Sequence, residues 1–174
     1  MLDFQFDRIL NADEICNYAT ERRKLISTLS KGQKIVLYGR RNTGKTSLLK
    51  SIVIPALIKK GYFVCFIDFL GVQNMEQLGQ RLKLGMEQSF LASFPVRSKL
   101  ERFLSVLKSV RPTLRTNPVE GVTLSLELEA SKRFISISQF FKWTVEIHHK
   151  KPCALVFDEF QDIHFVAEAE ALIR

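Results

Sequence analysis

The chain has 174 residues, 46% hydrophobic and 25% charged, the proportions of one ordinary globular domain with enough length to bury a core. No apolar run is long enough to cross a bilayer, and Met1 to Arg8 lacks a basic-then-apolar signal pattern. The net charge of +8 is uneven: residues 1–60 carry 12 basic and five acidic side chains, whereas residues 151–174 carry two and five. Such an excess attracts phosphate and leaves nucleic acid open as a partner, although no block of like charge singles it out. The three cysteines, Cys16, Cys65 and Cys153, are an odd number and widely spaced, which fits buried free thiols in a reducing cytoplasm.

Residues 1–33 form a helical lead-in. Leu25, Ile26 and Leu29 fall at helical spacing and Gly32 ends the run. This segment is expected to pack on a sheet edge, or alternatively to form part of an adenine pocket. Ile35-Val36-Leu37-Tyr38 then reads as a short buried strand. It runs into Gly39-Arg40-Arg41-Asn42-Thr43-Gly44-Lys45-Thr46, which fits G-x-x-x-x-G-K-[ST], the phosphate-binding P-loop, with a helix expected next. The chemistry follows from the residue types. Glycines 39 and 44 let the backbone wrap an anion with its N–H groups inward, and the following helix adds its positive dipole end. Lys45 is placed to reach the β- and γ-phosphates and the Thr46 hydroxyl to ligate Mg²⁺, with Ser47 completing the nucleotide-binding set. Arg40 and Arg41 face solvent or phosphate, or alternatively a partner.

The helix runs from about Lys45 to Lys60, and Pro55 is expected to kink or interrupt it. Tyr62 to Asp68 is a near-continuous apolar run, as in a strand of a parallel sheet buried on both faces. Met75, Leu78, Leu82 and Met86 predict a helix over residues 74–94, ended by Pro95. A second helix places Leu100, Phe103, Leu104, Leu107 and Val110 on one side, ended by Pro112. Val122, Leu124, Leu126 and Leu128 alternate with polar residues after the turn residues 117–121, and Thr113 to Thr116 is a candidate partner strand. The result is an inserted β-hairpin, structural decoration first and a partner-binding edge second. A third helix, Ser136 to His149, turns Ile137, Phe140, Phe141, Thr144 and Ile147 inward. Its adjacent histidines cannot share one metal from a helix.

Cys153-Ala-Leu-Val-Phe-Asp158-Glu159 is a buried strand delivering carboxylates to its C-terminal end, the edge where open α/β sheets bind ligands. Asp158 is the candidate Mg²⁺ carboxylate beside Thr46, and Glu159 the group that polarises the attacking water, with Lys45 the other catalytic candidate. The acid next to the magnesium carboxylate points to ATP hydrolysis driving a conformational switch. The alternatives are a nucleotide-binding structural module with little turnover, or a nucleic-acid-associated subunit.

Together, Leu37 to Leu49, Ile67-Asp68, Val122 to Glu129 and Leu155-Val-Phe-Asp-Glu-Phe-Gln161 resemble the archaeal-type P-loop ATPases, on the AAA+/STAND side of the additional-strand P-loop proteins. The resemblance spans roughly residues 20–165 and is most specific in the two nucleotide motifs. It implies ATP rather than GTP. It also implies an α/β three-layer P-loop sandwich with a parallel sheet, the core running over residues 34–174 with inserted helices and hairpin at about 95–131. In that family a further strand with a sensor residue lies between the Asp-Glu strand and the P-loop strand, followed by an arginine-finger region. The resemblance thus implies an N-terminal portion with C-terminal strands missing, whose partners include its own C-terminal domain or another subunit.

Overall fold

Contacts in the computed structural model, which describes residues 8–15, 19–40, 43–94, 96–105, 111–117, 121–127 and 135–166, fall into two units, Met1–Gly61 and Tyr62–Arg174. At 97, 111–117 and 121–127 the description is of the backbone.

In the first unit, helix α1 (Ala19–Ser30) buries Leu25, and the chain leaves it through Gly32 at φ 73°. The glycine is needed there because a left-handed turn costs any residue with a Cβ. α1 packs against the helical stretch over residues 45–59 rather than on a sheet edge, since the described residues of this unit contain no strand. That stretch is continuous but not uniform: α2 (Lys45–Leu48), a π-helical segment Leu49–Val53, and α3 (Ile54–Lys59). The π segment is how Pro55 is accommodated. Proline has no N–H to give to the carbonyl four residues back and its ring crowds that carbonyl, and the wider turn just before it relieves the conflict. The Ile54 N–H bonds Leu49 O, one residue further back than in an α-helix. Leu48, Val53 and Leu57 form the buried stripe.

The expected strand at 35–38 does not form. Residues 33–40 are irregular, with Val36 91% and Tyr38 96% exposed. An apolar run becomes a strand only beside another strand that takes up its N–H and C=O groups, and none of the described strands pairs with it.

The second unit is mixed α/β and holds every described strand. β1 (Phe63–Asp68) pairs in parallel with β4 (Cys153–Asp158), in register from Phe63↔Cys153 to Asp68↔Asp158. Between them come α4 (Met75–Ser93), α5 (Arg97–Leu104), the antiparallel pair β2 (Arg111–Asn117) and β3 (Gly121–Glu127), and α6 (Ile137–His148). Asn74 and Ser136 cap α4 and α6 by accepting the N–H of Gln77 and Gln139. α4 lies so close on β1 that a Cβ at Gly85 would sit 2.7 Å from both Phe66 O and Ile67 Cγ1. Phe63, Phe69, Leu82, Phe90, Phe140 and Trp143 anchor the core of this unit.

The hairpin forms as expected, Thr116 opposite Val122, with β3 against α4. Leu128 and Glu129 lie outside the described residues, as do Leu107, Val110 and Pro95. Pro112 does not end a helix; it belongs to β2, opposite Leu126, and α5 already stops at Leu104. In a two-stranded ribbon either strand has one edge without a partner, where the missing N–H of a proline is tolerated. Trp143, 2% exposed, joins the inward face expected for α6. Cys65 is buried and Cys153 half-buried, and loss of solvent pushes both thiols up to about 12, a hydrogen bond from Ser89 opposing this at Cys65. Cys16 is outside the described residues. Among the described residues no helix is long and apolar enough to cross a membrane.

Candidate functional site

The loop over residues 39–46 is built by local rules. Gly44 takes φ 77° and α2 starts at the next residue, so the turn that swings the backbone into the helix is the one only glycine makes cheaply. Gly39 has no such φ, and a Cβ there would meet only Thr43 Oγ1 at 3.4 Å and Lys45 Cδ at 3.7 Å. Of the two motif glycines, backbone conformation therefore requires only the second.

The loop is closed by its own side chains. Lys45 Nζ donates to Gly39 O at 3.0 Å and to Arg40 O at 2.7 Å, and Thr43 Oγ1 donates to Arg40 O at 2.9 Å. A half-exposed ammonium thus lies across the exposed residues 39–40, held by neutral carbonyl acceptors. Thr46 is half-buried in the first turn of the helix, Arg40 is exposed, and Arg41 and Asn42 are outside the described residues. Ser47 is 6% exposed, and its hydroxyl accepts the Leu10 N–H at 3.1 Å, while Ser51 Oγ donates to Leu10 O at 2.5 Å. Both backbone groups of Leu10 are therefore met by serines four residues apart on one helix face. The sequence carries that signal only as two serines at i and i+4, which say nothing of their partner.

In the second unit, the paired strands bring Asp68 and Asp158 to the same register position at their C-terminal ends. Asp158 is 8% exposed, and its Oδ1 accepts the N–H of Glu159 at 3.2 Å. Glu159 turns out of the sheet with φ 49°, the only positive φ of a non-glycine among the described residues. That conformation costs about 1–2 kcal/mol for a residue with a Cβ, and strain of this kind gathers at functional sites. Its carboxylate accepts a hydrogen bond from Gln161 Nε2, and its carbonyl accepts the Asp162 N–H at 3.0 Å, opening the 3₁₀ helix Phe160–Phe165. Sequence reasoning placed the two acids correctly on a strand end but had no signal for the left-handed turn.

A hydroxyl such as that of Thr46 and a carboxylate such as that of Asp158 are each, taken singly, the kind of hard oxygen donor that Mg²⁺ accepts. Among the described residues no three or more His, Cys, Asp or Glu side chains gather as a self-sufficient metal cage.

No protein-family model matches the chain, and neither a curated protein nor a solved structure is found to be similar to it.

Proposed function

We propose that the protein binds ATP with Mg²⁺ at residues 39–47 and hydrolyses it, using the cycle to drive a conformational switch. The observation that carries this reading is the Gly44–Lys45 junction: a left-handed glycine feeding directly into a helix, with the lysine ammonium drawn back over the loop carbonyls. Backbone N–H groups at such a junction favour an anion, and the ammonium has only to exchange two neutral acceptors for phosphate oxygens. Asp158 and Glu159 supply the second half of the chemistry in this reading. Mg²⁺, when bound, would supply positive charge against the phosphates. Thr46 and Asp158 are the residues proposed to hold it. Glu159 orients the attacking water and accepts its proton.

The proposal extends to the three-layer P-loop sandwich. It is supported by a parallel β1–β4 pair whose C-terminal ends carry the acids. A reducing, cytoplasmic setting is supported by two free thiols held in or near the core.

ATP binding and turnover of Lys45→Ala and Glu159→Gln test the reading. Lys45→Ala is expected to lower turnover roughly a hundredfold or more by removing a cation from the transferred phosphoryl group. Glu159→Gln keeps nucleotide affinity and loses about a hundredfold in turnover. Unchanged turnover in Glu159→Gln removes the water-activating role, and nucleotide binding untouched by Lys45→Ala removes the site itself.

A further inference from the structure

The loops that leave the C-terminal ends of β1 and β4 are tied together by bonds between residues 89 and 91 positions apart. Phe69 N–H donates to Asp158 O at 3.0 Å, adding one rung beyond the strands. Two residues on, Gly71 N–H donates to Asp162 Oδ2 at 2.8 Å. Asp162 in turn gives its own N–H to Glu159 O. Arg81, on α4, holds the same loop from the other side through Leu70 O at 3.1 Å, and Phe69 packs its ring against Phe157 and Phe160. The strained Glu159 is therefore enclosed by a short circuit: Asp158, Phe69, Gly71, Asp162 and back to Glu159.

A left-handed glutamate persists only where its surroundings fix it. Two links of this circuit, Phe69 to Asp158 and Asp162 to Glu159, are backbone to backbone, which most sequences could supply. Within the circuit, the link between Gly71 and Asp162 is made by a side chain, the Asp162 carboxylate. Resting on the ATPase reading above, we propose that Asp162 is a positioning residue: by accepting the Gly71 N–H it holds the 159–162 turn against the loop after β1 and keeps Glu159 in its working conformation. Asp162 touches neither nucleotide nor water in this role. It acts through Glu159.

The test compares Asp162→Ala, Asp162→Glu and Asp162→Asn in the full chain. Asparagine keeps an oxygen at the same reach, alanine removes the acceptor, and glutamate keeps the charge but overshoots the distance. Expected for alanine and glutamate is a fall in kcat of roughly tenfold with KM for ATP within about twofold, and for asparagine a kcat near that of the unsubstituted chain. The glutamate variant keeps the experiment readable if the alanine variant fails to fold. Nuclear magnetic resonance supplies a readout independent of turnover. The Gly71 amide should be protected from exchange, and the Glu159 backbone coupling should report a positive φ that alanine and glutamate abolish. Unchanged kcat with only a lower melting temperature overturns the proposal, as does a Glu159 that keeps its positive φ without the Asp162 acceptor. A chain that binds ATP but shows no turnover at all removes the hydrolase reading instead, and the backbone coupling still decides whether Asp162 fixes Glu159.

Discussion

The two units present their candidate nucleotide groups in opposite ways. In Met1–Gly61 the candidate phosphate loop is exposed at Gly39 and Arg40 and follows an irregular apolar run, and the helical stretch after it buries a small stripe of Leu48, Val53 and Leu57. In Tyr62–Arg174 the acids sit at the end of a paired strand, over a core of aromatic and aliphatic side chains with Phe63 and Phe90 4.9 Å apart between ring centroids. The difference follows from what each group needs. A phosphate loop needs one left-handed glycine and the first turn of a helix, both available within a few residues. A carboxylate held at a sheet edge needs hydrogen bonds from a strand far away in sequence, and such pairing is stable only when a core covers it.

Breaking the core should therefore separate the two. Phe90→Ala, at a fully buried site, is expected to destabilise the second unit by about 3–5 kcal/mol. Denaturant melts followed at Trp143, in that unit, will register the loss. If helical signal from residues 45–59 is lost in the same transition, the units are not independent in stability.

Gly85→Ala strikes the contact between α4 and β1 more gently. The added methyl meets a backbone carbonyl, which cannot swing aside, so a cost of about 1–3 kcal/mol is expected despite alanine's better helix propensity. A variant as stable as the parent would mean that α4 can lift from β1 freely.

Gly44→Ala probes the loop. Holding alanine at φ 77° costs roughly 1–2 kcal/mol, and that strain should appear as weaker nucleotide binding, measured by titration, with little change in the melting of the second unit. Equal effects on both would show that the loop's conformation is not set locally.

The last effect appears only at alkaline pH. Cys65 and Cys153 are held as neutral thiols up to about 12, above the ordinary value of 9.0, so the folded chain keeps protons that the unfolded chain gives up. Stability from this source is fully present below pH 9.0 and declines as pH rises toward 12. Melting curves from pH 8 upward check it, and Cys65→Ala should flatten the slope.

Much of this architecture is legible in the sequence because it depends on local periodicity. Leu78, Leu82 and Met86 announced α4, Phe140, Thr144 and Ile147 announced α6, and Val122 to Leu126 the hairpin. Pro55 announced an interruption but not its form, because whether a proline kinks a helix or is absorbed by a π turn depends on what packs around it. Ile35 to Tyr38 shows the limit most plainly. Its composition is that of a strand, yet Val36 and Tyr38 stand in solvent, because β structure is a property of two segments.

The candidate site divides along the same line. The amino-acid sequence by itself determined the turn at Gly44 and the helix that opens at Lys45, by conformational rules that act over a few residues, and marked an apolar run ending in Asp158. Only the tertiary structure decided that Asp68 stands opposite Asp158, that Ser47 serves the backbone of Leu10, and that Glu159 leaves its strand left-handed with Asp162 fastened to Gly71. Those bonds join residues between 37 and 91 positions apart, and what brings such groups together is burial of a shared core rather than any local preference.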